Sequence, residues 1–110
     1  MNRLRTVVIC AALTAGSSAT ALAAAKGDAA KGKEVFQQCG VCHIPDSEEK
    51  KMGPGLKGLF KRDKLTTNGK KPTEANVRTR IDEGGNGMPA YKDILSDQEK
   101  DDLIAYLKTL

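Results

Sequence analysis

Residues 36–45 read Phe36-Gln37-Gln38-Cys39-Gly40-Val41-Cys42-His43-Ile44-Pro45. Two cysteines stand three positions apart, and the histidine that follows is the only one in the chain. On a helical turn that spacing brings both thiols to one side, with the imidazole next to them. Three chemistries use such a cluster: a redox-active dithiol, a zinc site and a covalently attached haem. The rest of the chain has to choose.

The 110 residues amount to one domain. The first 25 do not read as part of it. Arg3 and Arg5 open the chain, Thr6 to Ala15 is mostly apolar, and Ala21-Leu22-Ala23-Ala24-Ala25 closes the stretch with small residues. This is the pattern of a secretory signal peptide, cleaved after Ala23 or Ala25. A spanning helix needs roughly 20 apolar residues, and this run is shorter and rich in Ser, Thr and Gly. The chain is therefore expected not to span a membrane once the signal is removed. Cys10 leaves with the signal, since the bulky Ile9 argues against a lipid attachment site.

Removing 25 of 110 residues leaves a domain of 85, residues 26–110, which keeps two of the three cysteines. Of 18 basic residues Arg3 and Arg5 go, leaving 16 against 14 acids, a formal charge of +2. Export, near-neutral charge and four aromatic residues argue against nucleic-acid binding. A core this small usually needs a staple such as a disulfide, a metal or a cofactor. The absence of Trp leaves room for something other than side chains at its centre.

Three helices are expected. The first covers Asp28 to Gln38, with Asp28 as N-cap and Ala29, Gly32, Val35 and Phe36 on one side. A second covers Thr73 to Glu83, with Val77 and Ile81 as an i,i+4 pair, and ends at Gly84-Gly85. The third covers Ser96 to Leu110. Ser96-Asp97-Gln98-Glu99 is a capping box, and Leu103, Tyr106, Leu107 and Leu110 form an apolar stripe with Ile104 at its edge. Asp97, Glu99, Asp101 and Asp102 read as charge favoured at a helix start. No stretch alternates as a strand should, so the fold class is all-α with long glycine- and proline-bearing loops.

A thioredoxin-like CxxC belongs near a βαβ pattern, which is missing. A structural zinc site wants four ligands, and Cys39, Cys42 and His43 exhaust the Cys/His set of residues 26–110. C-x-x-C-H is the attachment motif of a c-type haem, in which two thioethers form on the vinyl groups and the histidine meets the iron. Export and a small helical domain suit that reading.

With Cys39-Gly40-Val41-Cys42-His43, Gly53-Pro54-Gly55-Leu56, Gly87-Met88-Pro89-Ala90-Tyr91 and Leu103-Ile104-Ala105-Tyr106-Leu107 in this order, the chain resembles a class I monohaem cytochrome c of bacterial type, over Gly27 to Leu110. The resemblance implies a small fold of three to four helices and long loops around one haem, held by Cys39 and Cys42. It implies that the Pro54 carbonyl accepts the Nδ1–H of His43 and so orients the ring. It also implies a crossing of the first and last helices, Gly32 and Phe36 against Tyr106 and Leu107. For the sixth ligand, Met52 follows His43 too closely in a charged loop, whereas Met88 sits in the family's M-P-x-Y context. His43 and Met88 are then the iron ligands.

His/Met ligation raises the potential relative to two histidines and closes the iron. The function implied is that of a periplasmic one-electron carrier, not an enzyme, working as a monomer between respiratory or dehydrogenase donors and an oxidase or reductase. The alternatives are a haem enzyme or gas sensor with a labile sixth position, or a dedicated subunit of a larger redox complex. Lys57, Lys61, Arg62, Lys64, Lys70 and Lys71 form a basic stretch that either is simply solvated or docks acidic redox partners. Val41, Ile44, Ala90 and Tyr91 are expected around an exposed haem edge.

Overall fold

The structure, a computed structural model, describes residues 26–110. The signal peptide expected over 1–25, Cys10 included, lies outside the described residues. Helix α1 spans Ala29–Val35, α2 Glu74–Glu83 and α3 Asp97–Leu107. Two short 3-10 turns, Phe36–Gln38 and Leu59–Lys61, complete the order. Among the described residues the only extended pairing is an isolated bridge between Gly85 and Met88, so the fold is all-α.

Each helix starts where its cap dictates. The Asp28 carboxylate accepts from Ala30 N at 2.8 Å and Lys31 N at 3.3 Å. Thr73 Oγ1 accepts from Asn76 N at 3.1 Å, and Ser96 Oγ from Glu99 N at 3.1 Å. These bonds satisfy N–H groups that the first turn leaves without carbonyl partners. The first helix is shorter than the expected 28–38. Its last turn tightens to 3-10 geometry, and Cys39 N donates to Phe36 O at 2.7 Å.

α1 packs across α3 at Gly32. A side chain there would collide with the Asp102 carbonyl and the Tyr106 Cβ, so the backbones meet directly. One turn on, the rings of Phe36 and Tyr106 lie 5.3 Å apart at 57°, a tilted aromatic pair. The crossing is the one expected from the sequence. Ile104, expected at the edge of the stripe, is buried in the core with Leu103 and Leu107.

The reading of the α3 acids as helix-start charge holds for exposed Asp97 and Glu99 in the first turn, and falls short for Asp101 and Asp102, which have tertiary partners. Asp102 is buried and accepts from the backbone N–H of Asp28 at 2.8 Å and from Gln98 Nε2 at 3.0 Å. These donors hold its carboxyl below the usual carboxylate range. Asp101 and Asp97 ion-pair with Arg78 of α2 at 2.5 and 3.1 Å. Lys100, also buried, places Nζ 2.7 Å from Asp82 of α2 and donates to the Lys92 carbonyl at 3.0 Å. The acids of α3 thus tie it to α2 and to the start of α1. Among the described residues, no helix is long and apolar enough to cross a membrane.

Candidate functional site

The CxxCH stretch continues α1 as a tight turn. Gly40 N donates to Phe36 O, Cys42 N to Cys39 O at 3.1 Å, and His43 N to Cys39 O at 2.9 Å. Cys39 and Cys42 are not joined to each other by a disulfide, and both are partly buried. Burial, aided by the neighbouring Cys42, pushes the Cys39 thiol up to about 11. That shift disfavours Cys39 as an attacking thiolate, and among the described residues no βαβ unit surrounds the pair, as a thioredoxin-like dithiol would want. The zinc reading fares no better. Among the described residues no three His, Cys, Asp or Glu side chains are grouped to hold a metal ion.

A loop holds the histidine ring. Gly53 N donates to Cys42 O at 2.8 Å and Leu56 N to Ile44 O at 2.9 Å, which presses residues 53–56 against the motif. The imidazole lies so close to Gly53 that a Cβ there would overlap it. His43 Nδ1 donates to the Pro54 carbonyl at 2.7 Å. A carbonyl can only accept, so Nδ1 carries a proton here, and Nε2 is the ring nitrogen left to meet a metal.

Cys39, Cys42, His43 and Pro54 line a cleft of about 480 Å³. Its other walls come from distant parts of the chain: Val77 and Ile81 of α2, Leu103 and Leu107 of α3, and Met88 from the segment after α2. Of the ten buried core side chains, all except Leu95 and Ile104 also line the cleft. The core is therefore built around the cleft.

Met88 has a rigid mount. Gly85 N donates to Met88 O at 2.9 Å, and Met88 N returns the bond to Gly85 O at 3.0 Å. Between them Asn86 (φ 52°) and Gly87 (φ 90°) form a two-residue turn with both residues left-handed, the conformation that Asn-Gly favours. Met52, by contrast, is 77 % exposed at the cleft rim.

Residues 29–110 match the family model of cytochrome c. The chain belongs to the cytochrome c family. It is 36 % identical over 107 residues to cytochrome c2 of Blastochloris viridis, covering 83 % of this chain and 84 % of that one. It is 32 % identical over 99 residues to cytochrome c of Gossypium barbadense, covering 74 % and 89 %. Among solved structures it is similar to cytochrome c6 of the diatom Phaeodactylum tricornutum, with TM-score 0.58, 29 % identity and coverage of 76 % and 93 %. This cytochrome is a small class I electron carrier, and its cofactor is one haem c bound through the Cys39–Cys42 pair.

The residues present fit that group. The cleft is lined mainly by apolar side chains, Phe36, Leu56, Leu59, Leu65, Val77 and Ile81 among them, which suit the faces of a large apolar disc, and the two thiols sit on the wall where covalent attachment is needed.

Sequence reasoning missed two arginines of the cleft. Arg62, expected in the basic surface stretch, is turned inward. Its Nη2 donates to Gly55 O at 2.9 Å and Lys57 O at 2.8 Å. Arg80 of α2 also lines the cleft. It lies one position before the core residue Ile81, and nothing in the sequence marks that neighbouring face as inward. The five lysines of the 57–71 stretch are exposed. Val41 is 64 % exposed and Ala90 is exposed, whereas Tyr91 is half-buried and lines the cleft, where burial raises its pKa.

Proposed function

We propose that this cytochrome is exported by a signal peptide over residues 1–25, cleaved after Ala23 or Ala25, and works in the periplasm as a monomeric one-electron shuttle. Its donors would be respiratory or dehydrogenase proteins and its acceptors an oxidase or reductase. In this reading His43 and Met88 would hold the iron. The observation that carries it is the shared cleft: His43, pinned through Nδ1 to Pro54, and Met88, fixed by reciprocal backbone bonds, both line it.

Bound there, the haem supplies an Fe(III)/Fe(II) couple. The chain's own residues do the rest. Cys39 and Cys42 hold the group covalently, and Pro54 keeps His43 in one tautomer and orientation. The Met88 thioether, a soft donor, would favour the reduced state and would leave no open iron position for a substrate or gas. The apolar walls exclude water. The exposed lysines between Lys57 and Lys71 favour encounter with acidic partners through a small, transient interface.

The test is the optical spectrum of the purified holoprotein, oxidised and reduced, with carbon monoxide added to the reduced form. Wild type is expected to ignore carbon monoxide. Met88→Ala is expected to bind it and to have a lower midpoint potential. A wild-type spectrum that shifts with carbon monoxide would favour a sensor or enzyme instead. An unchanged spectrum and potential in the Met88→Ala protein would remove Met88 from the iron.

A further inference from the structure

Helix α2 carries two inward-leaning arginines with different surroundings. Arg78 is neutralised by Asp97 and Asp101. Arg80 has no carboxylate partner among the described residues. Its Nη1 donates to the Gly84 carbonyl at 2.7 Å, directly before the Gly85–Met88 turn. Its Nε is buried and meets no acceptor. Arg80 lines the cleft together with Met88 and Ile81.

We propose that Arg80 sets the reduction potential and positions the Met88 turn. The inference rests on the cofactor and ligand reading above. A guanidinium keeps its charge across the working pH range. Where water is excluded a fixed cation acts strongly on a nearby redox centre, and it favours the state with one positive charge fewer, the reduced one. Of the other cations of the cleft, Lys50 is exposed and screened, whereas Arg62 keeps its charge while donating to two carbonyls and adds to the same field. The bond from Arg80 to Gly84 O also ties α2 to the turn, so one side chain links the charge to the ligand mount.

The experiment compares midpoint potentials of holoprotein, at fixed pH and salt, for wild type, Arg80→Lys, Arg80→Gln and Arg80→Met. The neutral variants are expected to shift downward and Arg80→Lys to stay near wild type. Arg80→Met, which loses the Gly84 bond, is expected also to bind carbon monoxide when reduced. A purely structural role would lower the thermal midpoint without separating the charged from the neutral variants in potential. Equal potentials for Arg80→Lys and Arg80→Gln would overturn the proposal, even if Arg80→Met fails to accumulate. Met88→Ala, measured alongside, separates this failure from that of the ligand reading. An unchanged spectrum there indicts Met88, whereas equal potentials in the Arg80 series indict Arg80.

An independent observation concerns the same turn. The domain has two Asn-Gly pairs. In one, Asn68 Oδ1 accepts from Lys70 N and Gly69 N donates to Leu65 O, so both reactive groups are engaged. In the other, Asn86 and Gly87 are exposed, and neither the Asn86 amide nor Gly87 N has a partner among the described residues. We infer that Asn86 is a spontaneous deamidation site. Gly87 N attacks the side-chain carbonyl carbon and expels ammonia. Water then opens the cyclic imide to aspartate or isoaspartate. The isoaspartate adds a backbone carbon to a two-residue turn and so breaks the reciprocal Gly85–Met88 bonds.

Holoprotein aged at mildly alkaline pH, digested and analysed by mass spectrometry, is expected to show acid at position 86 well before position 68. Free peptides spanning each pair set the time base. Faster conversion at Asn68, or an intact Asn86 after its free peptide has converted, would overturn the inference.

Discussion

Gly32→Ala sets two opposed effects against each other at one atom. In an isolated helix the substitution stabilises by about 1 kcal/mol, because glycine gives up more backbone entropy than alanine. In this fold the new methyl falls on the Asp102 carbonyl and lies 2.8 Å from the Tyr106 Cβ. Both obstacles are backbone or next to it, so no rotamer change relieves them. α1 must move off α3, and the Phe36–Tyr106 pair, 5.3 Å between centroids, must loosen with it. Overpacking costs about 1–3 kcal/mol, and a backbone obstacle belongs at the upper end. The net expectation is a loss of about 2 kcal/mol, which for a domain this size lowers the thermal midpoint by about 8–16 °C. Thermal unfolding of the holoprotein by circular dichroism reads it directly. The exposed Ala30→Gly substitution in the same helix is the control and is expected to cost about 1 kcal/mol. A Gly32→Ala protein that melts at or above wild type would refute the close crossing.

Other expectations are as direct. Asp102 has its folded pKa lowered by the Asp28 N–H first and Gln98 second. Its contribution is thus present above the unfolded carboxyl value, about 3.9, and lost as pH falls through the folded one. A pH series of thermal midpoints should therefore show a shallower acid limb for Asp102→Asn, and an equally steep one would contradict the assignment. Lys100→Met leaves Asp82, 26 % exposed, without its partner and should cost about 1–3 kcal/mol in denaturant unfolding. Adding Asp82→Asn should recover part of that loss. Replacing Lys57, Lys61 and Lys64 with glutamate should slow electron transfer to an acidic protein partner and flatten its salt dependence, as stopped-flow rates across ionic strength would show.

Local chemistry was the most legible part of this chain. Asp28, Thr73 and Ser96 cap the helices they were expected to open, because a cap is decided by a side chain and the next three amides. The Gly32 crossing and the His43–Pro54 bond were also anticipated, since several motifs in order pointed to one family. What the sequence hid was long-range. Asp102 looks like any acid in a first helical turn until Asp28 arrives from the other end of the domain. Lys100 looks exposed until Asp82 and the Lys92 carbonyl close over it. Arg62 sits among surface lysines yet finds two carbonyls a few residues upstream, and Arg80 faces a cleft that exists only once three distant segments have met. Periodicity reports which side of a helix is apolar. It does not report which polar neighbour a tertiary contact will bury.

The overlap between the buried core and the cleft walls has a consequence for how this protein resists proteolysis. Among the described residues, every buried core side chain except Leu95 and Ile104 lines the cleft. Folding is thereby coupled to assembly, much as it is in small metal-dependent domains. A chain whose core walls are also the walls of the cleft is expected to resist limited proteolysis better with the group attached than without it, because filling the cleft stabilises the same side chains that hold the fold together.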